Sequence, residues 1–128
     1  MAAIPATIDA SLFLRRVLYF DAATCIAMGL SLILLAQPLA PLLGLPALLL
    51  ESAGAALFPI AAFIGWAATH RRATWLVIAG NVAWVAASLL LVTVGWVEPS
   101  ALGYAFVLAQ AAAVAVLAAL EHAAYARI

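Results

Sequence analysis

The chain has 128 residues, 70% of them hydrophobic and 8% charged, whereas a soluble domain is roughly a quarter charged. Such a composition cannot cover a globule with water-compatible surface, so it points to lipid as the solvent. Five Arg, no Lys and five acidic residues sum to zero formal charge, which excludes the basic field that a nucleic-acid partner needs, and the single Cys25 excludes an internal disulfide or a Cys-based metal centre.

A bilayer-crossing helix needs roughly 20 apolar residues. Four segments reach that length: Leu14 to Ala36, Ala47 to Thr69, Trp75 to Val97 and Ala101 to Ala123. They lack the alternation of barrel strands, and open sheet edges are not tolerated in lipid, so the expected fold is all-α: one four-helix transmembrane bundle over 1–128, built as two tandem hairpins. The first run is longer than a usual signal-peptide core and no A-x-A site follows it, so it reads as a span.

The first span opens on "RRVLYFDAATC", where Arg15, Arg16 and Tyr19 are interfacial anchors and Asp21 lies roughly 3 Å beyond Tyr19 at 1.5 Å per residue. Asp21 and Arg16 are five apart, a poor angle for an ion pair within one helix. Its partner is therefore expected on another element, among Asn81, Arg71, Arg72 and His122. Cys25 and Met28 share its face, and a lone Cys on an apolar face is a packing residue more often than a nucleophile.

The link "QPLAPLLGLP" is apolar but too short to cross, and is expected to lie in the interface as a turn or short helix. In the second span Glu51 follows Pro46 closely and is read as a solvated or snorkelling carboxylate. Pro59 removes the donor to the Ala55 carbonyl and bends the helix. Ala61 and Gly65 form a small-x-x-x-small pair of the kind that brings membrane helices together, a pattern Ala-rich sequences also make by chance.

After "HRR" the third span repeats the opening of the first, with Arg71 and Arg72 followed by Trp75. The two hairpins read either as a repeat or as two units with the same anchoring needs. Asn81, Trp84, Ser88 and Gly95 fall on one face of this span, and Trp96 marks its far end. In the fourth span Gly103, Gln110 and Glu121 form a stripe, His122 adjoins Glu121, and Ala111, Ala115 and Ala119 form a row of small residues.

All five Arg, ending with Arg127, lie at the head of the first span, between the second and third, or after the fourth. The positive-inside rule therefore places both termini and the central loop on the cytoplasmic side. Asp21, Asn81, Glu121 and His122 lie at similar depth, in the cytoplasmic third. If their helices face one another they form a polar pocket that Trp84, Ser88 and Gln110 extend. Two carboxyls meeting there without a cation would share a proton. The same residues also serve as helix-packing glue, the commonest role of polar side chains in membranes.

No catalytic or metal-binding motif is present. A bis-His haem through His70 and His122 is the one cofactor arrangement the spacing suggests. It is disfavoured because His70 borders the loop, so no cofactor is expected.

The stretches "RRVLYFDAATCIAMGL", "LAPLLGLPALLLESAGAALFPIAAFIGW" and "GNVAWVAASLLLV" resemble small four-helix inner-membrane proteins of bacteria that carry no assigned chemistry. A fainter likeness, through length, the "GLP" turn and an early glutamate in the second span, is to DoxX-like proteins. It implies at most a link to redox or membrane-stress systems. The leading expectation is a non-enzymatic protein that binds lipid, self-associates as a homo-oligomer or joins a larger membrane-protein complex. The alternatives are a small proton-linked transporter or channel, with Asp21, Asn81 and Glu121 as its polar path, and a redox or quinone-associated subunit.

Overall fold

The computed structural model describes residues 6–128. It is all-helical among those residues, with five α-helices: α1 (Ala6–Leu34), α2 (Ala36–Leu43), α3 (Ala47–Ala67), α4 (Thr74–Thr93) and α5 (Ala101–Tyr125). Four of these, all but α2, are long and apolar enough to cross a membrane.

The helix ends differ from the sequence reading for local reasons. Among the described residues α1 already runs from Ala6, well upstream of Leu14, and it includes Asp9. It stops at Leu34 because Pro38 has no N–H for that carbonyl, and the chain turns at Leu35 into α2. α3 ends at Ala67, where Thr69 N–H and Thr69 Oγ1 both return to the Trp66 carbonyl at 3.1 Å. α4 stops at Thr93, short of Val97, and Gly95 beyond it takes a left-handed φ of 81° that breaks the helix.

The link "QPLAPLLGLP" thus contains the helix α2, which ends at Gly44 with φ 67°. The Leu42 and Leu43 carbonyls, orphaned at that end, accept from Ser100 Oγ (2.7 Å) and Ser100 N–H (3.0 Å). Ser100 Oγ also accepts the Gly103 N–H at 3.1 Å, so one residue caps α5 and ties down the end of α2. Ser100→Ala is therefore expected to cost about 1–2 kcal/mol, read as a lowered unfolding midpoint in mixed micelles. A midpoint equal to wild type would show that the joint carries no load.

α1 packs along α3 and α4 along α5. The pairs join chiefly through α1 and α5, whereas α3 and α4 scarcely touch although they are consecutive. α1 and α3 come closest at Gly29 and Gly54, where a Cβ added to either would stand 2.9 Å from the other's carbonyl oxygen. Ala61 is buried, but Gly65, its partner in the sequence pattern, has nothing within 4 Å of an added Cβ.

Two apolar clusters form. One gathers Leu14, Leu18, Ile64, Ala67, Val77 and Ala124 at the end carrying the arginines. The other gathers Leu32, Leu43, Leu45, Leu50, Leu57 and Val107 under α2. Large apolar side chains such as Ile26, Leu30, Leu48, Val82, Leu90 and Leu108 are left exposed on all four long helices. That outer surface suits lipid and not water.

Candidate functional site

Between the two apolar clusters lies a cavity of about 920 Å³, walled by α1, α3, α4 and α5. It occupies the space that opens because α3 and α4 do not close on each other. Its walls are overwhelmingly apolar; the polar side chains reaching it are Arg16, Asp21, Thr24, Asn81, Trp84 and Gln110. Phe20, Leu76, Val116 and Leu120 line it and are themselves exposed, which puts its opening on the flank of the helices.

Asp21 on α1 is 2% exposed and Glu121 on α5 is 0% exposed. One amide joins them: Asn81 Nδ2 on α4 donates to Asp21 Oδ2 and to Glu121 Oε1, each at 2.9 Å. The two carboxyl oxygens are therefore no farther apart than twice that distance, and both amide hydrogens are used. Among the described residues the second Asp21 oxygen has only the weak Cys25 thiol, donating at 3.8 Å, and Glu121 Oε2 is buried with no partner. Two carboxyls around one neutral amide in an apolar interior require a shared proton or a bound cation. Asp21 faces the cavity, while Glu121 stands behind it.

Deeper along α4 the second polar group is self-contained. Trp84 Nε1–H donates to Gln110 Oε1 (2.9 Å). Gln110 Nε2 donates to Ser88 Oγ (2.9 Å) and to the Val107 carbonyl (2.8 Å), and Ser88 Oγ donates to the Trp84 carbonyl (2.8 Å). Every member has a partner, so this network holds α4 to α5, each bond contributing about 1 kcal/mol. Gln110→Leu is expected to lower stability by about 1–2 kcal/mol, because the Trp84 N–H then loses its acceptor and Ser88 Oγ the donor that ties it to α5. An unfolding curve superimposable on wild type would contradict that.

No family model, no curated protein and no solved structure matches this chain. The functional reading accordingly rests on the geometry of the site.

Of the residues singled out in the sequence, the structure brings Asp21, Asn81 and Glu121 into one cluster and Trp84, Ser88 and Gln110 into another. His122 joins neither. It is exposed and lines a separate groove of about 460 Å³ on the outer side of α4 and α5, beside Ala115 and Ala119. The next residue on a helix points about 100° away from its neighbour, so a buried Glu121 turns His122 outward. Among the partner candidates for Asp21, Asn81 makes the bond.

His70 stacks on Trp66 with ring centroids 4.1 Å apart, and its Nδ1 lies 2.9 Å from the Trp66 carbonyl. No group of three or more His, Cys, Asp or Glu placed to hold a metal ion occurs among the described residues. Gly103 packs against the end of α2 and Gly95 lies beyond α4, so neither extends the polar faces assigned to it. Arg15, Arg16, Arg71, Arg72, Trp75 and Arg127 are all exposed. Gln37 Nε2 lies 3.5 Å from Glu51 at the α2 end, so that carboxylate has a local partner.

The apolar walls supplied by α3, chiefly Leu57, Ile60 and Phe63, carry no mark in the sequence. Their residue types are those of any span, and no signal marks them without the helix placement.

Proposed function

We propose that the protein is a small integral membrane protein of the bacterial cytoplasmic membrane, with both termini inside, that binds a single-chain amphiphile in its flank-opening cavity. The observation that carries this reading is the cavity itself. Its volume falls within the roughly 300–1,000 Å³ of small-molecule sites, its lining is mostly apolar, and the one carboxyl that reaches it is Asp21, beside Asn81. An occupant entering from the bilayer keeps its tail against Leu57 and Ile60 and its head at the carboxyl cluster.

The apolar cluster under α2 lies between the polar groups and that end of the molecule, which favours binding over a water-filled pathway. Arginines confined to the N-terminal half of α1, the α3–α4 turn and the C-terminus support the inside orientation. A C-terminal green fluorescent fusion is expected to fluoresce and an alkaline phosphatase fusion to be inactive; the reverse would invert the topology.

The binding reading is tested with Trp84 as the sole indole, the other three Trp replaced by Phe, in nanodiscs titrated with a bromine-labelled single-chain amphiphile. Quenching is expected to saturate, and Ala113→Phe, which fills the cavity from α5, is expected to remove the saturable part. Quenching that rises linearly and ignores Ala113→Phe would sink the reading.

A second reading, pairing with another copy of the chain, is favoured by the outer α4–α5 groove, whose floor of Ala115, Ala118 and Ala119 admits close helix approach. A nanodisc mass of two chains that reverts to one with Ala119→Leu is the expected result. A wild-type mass of one chain would remove it.

A further inference from the structure

We propose that the amphiphile carries a cationic head, a primary or quaternary amine, which seats against Asp21; this rests on the amphiphile-binding reading above. Asp21 and Glu121 are both essentially inaccessible, and the hydrogen-bond donors they have are the Asn81 amide and the Cys25 thiol, neither of them a cation. Glu121 Oε2, fully buried, has no hydrogen-bond partner among the described residues. Such a cluster is short of positive charge, and a proton or a ligand cation makes it good.

Asp21 alone of the two faces the cavity, so a head group need reach only that carboxyl. The walls complement a cation in a second way. Phe20, Phe63 and Trp84 line the same cavity, and aromatic faces attract ammonium groups most where water is excluded.

An anionic head would meet the opposite field. Arg16 is the one cationic side chain in the walls. It is exposed and lies roughly 8 Å from Asp21 along α1, toward the level where an ordinary phospholipid phosphate resides. An anion satisfied by Arg16 stays at that level and leaves the interior empty.

The test uses the full chain in phosphatidylcholine nanodiscs, with protein-free nanodiscs subtracted. The three radiolabelled probes share a dodecyl tail and differ in the head: dodecyltrimethylammonium, tetraethylene glycol monododecyl ether and dodecyl phosphate. The cationic probe is expected to bind saturably and about tenfold or more tighter than the neutral one, the scale of a desolvated charge pair. Asp21→Asn is expected to erase that preference while the neutral probe still binds. Arg16→Gln, an exposed change that leaves the packing intact, is expected to tighten cation binding about twofold or more by removing a like charge.

Equal affinity for the three heads, tightest binding of the phosphate, or a preference that survives Asp21→Asn each overturns the cationic assignment and leaves amphiphile binding in place. Absence of saturable binding by any probe overturns both. Should Asp21→Asn fail to fold, the wild-type head series and Arg16→Gln still decide.

Discussion

Asn81→Leu is expected to destabilise the protein by about 3 kcal/mol or more, because it strips the donor from two buried carboxyls at once. The surrounding packing could absorb Leu, but Asp21 Oδ2 and Glu121 Oε1 would both lose the amide hydrogens that bridge them. Glu121→Gln should behave in the opposite way. It removes one of the two acidic groups and replaces the unpartnered Oε2 with an amide able to donate toward Asp21, so its stability should equal or exceed wild type.

The two changes also couple. In the Glu121→Gln background Asn81→Leu should cost less than it does alone, since one carboxyl remains to be satisfied. Unfolding of all four proteins in mixed micelles measures this. An Asn81→Leu loss below about 1 kcal/mol, or a Glu121→Gln loss as large as that of Asn81→Leu, would show that the amide does not hold the cluster together.

Gly103→Ala is expected to be the most damaging single methyl in the chain. A Cβ at this position collides with the Leu43 carbonyl, backbone against backbone, at the same oxygen that accepts the Ser100 N–H. Neither side can swing away, so α2 must lift from α5 and the capping at Ser100 is lost with it. The cost should exceed about 3 kcal/mol, at the upper end of overpacking effects.

Gly65→Ala is the matched control. Nothing stands within 4 Å of its added Cβ, and removing a helical glycine should be neutral or stabilising by up to about 1 kcal/mol. Thermal unfolding in detergent of the two variants side by side checks both. Equal effects would mean that close approach at Gly103 is not what the α2–α5 joint depends on.

These two glycines show what patterns alone could convey. Ala61-x-x-x-Gly65 has the spacing of a helix contact, yet Gly65 is unpacked, while the approaches that matter, Gly29 on Gly54 and Gly103 on Leu43, carry no local signature. A small residue permits contact without stating with what. The polar residues were more legible. Helical angles align Asn81 with Trp84 and Ser88, and Gln110 with Glu121. The same angles do not say that Trp84, Ser88 and Gln110 form a closed network, or that Asn81 is shared by two carboxyls. His122 was grouped with the cluster through depth along the helix, which says nothing about the side of the helix a residue faces.

The sequence by itself determined the number of long apolar helices, their approximate positions, the polar residues that interrupt them and the asymmetry of the arginines. Those properties follow from the solvation of each residue and from covalent spacing, both of which are local. The tertiary structure decided which faces meet. It decided that α3 and α4 stay apart and leave a cavity, that apolar residues of α3 become its walls, that Asp21 reaches it while Glu121 does not, and that Ser100 joins α2 to α5. In a chain that is apolar almost all round each helix, hydrophobicity gives no preferred face, so close backbone approach and a few hydrogen bonds set the arrangement.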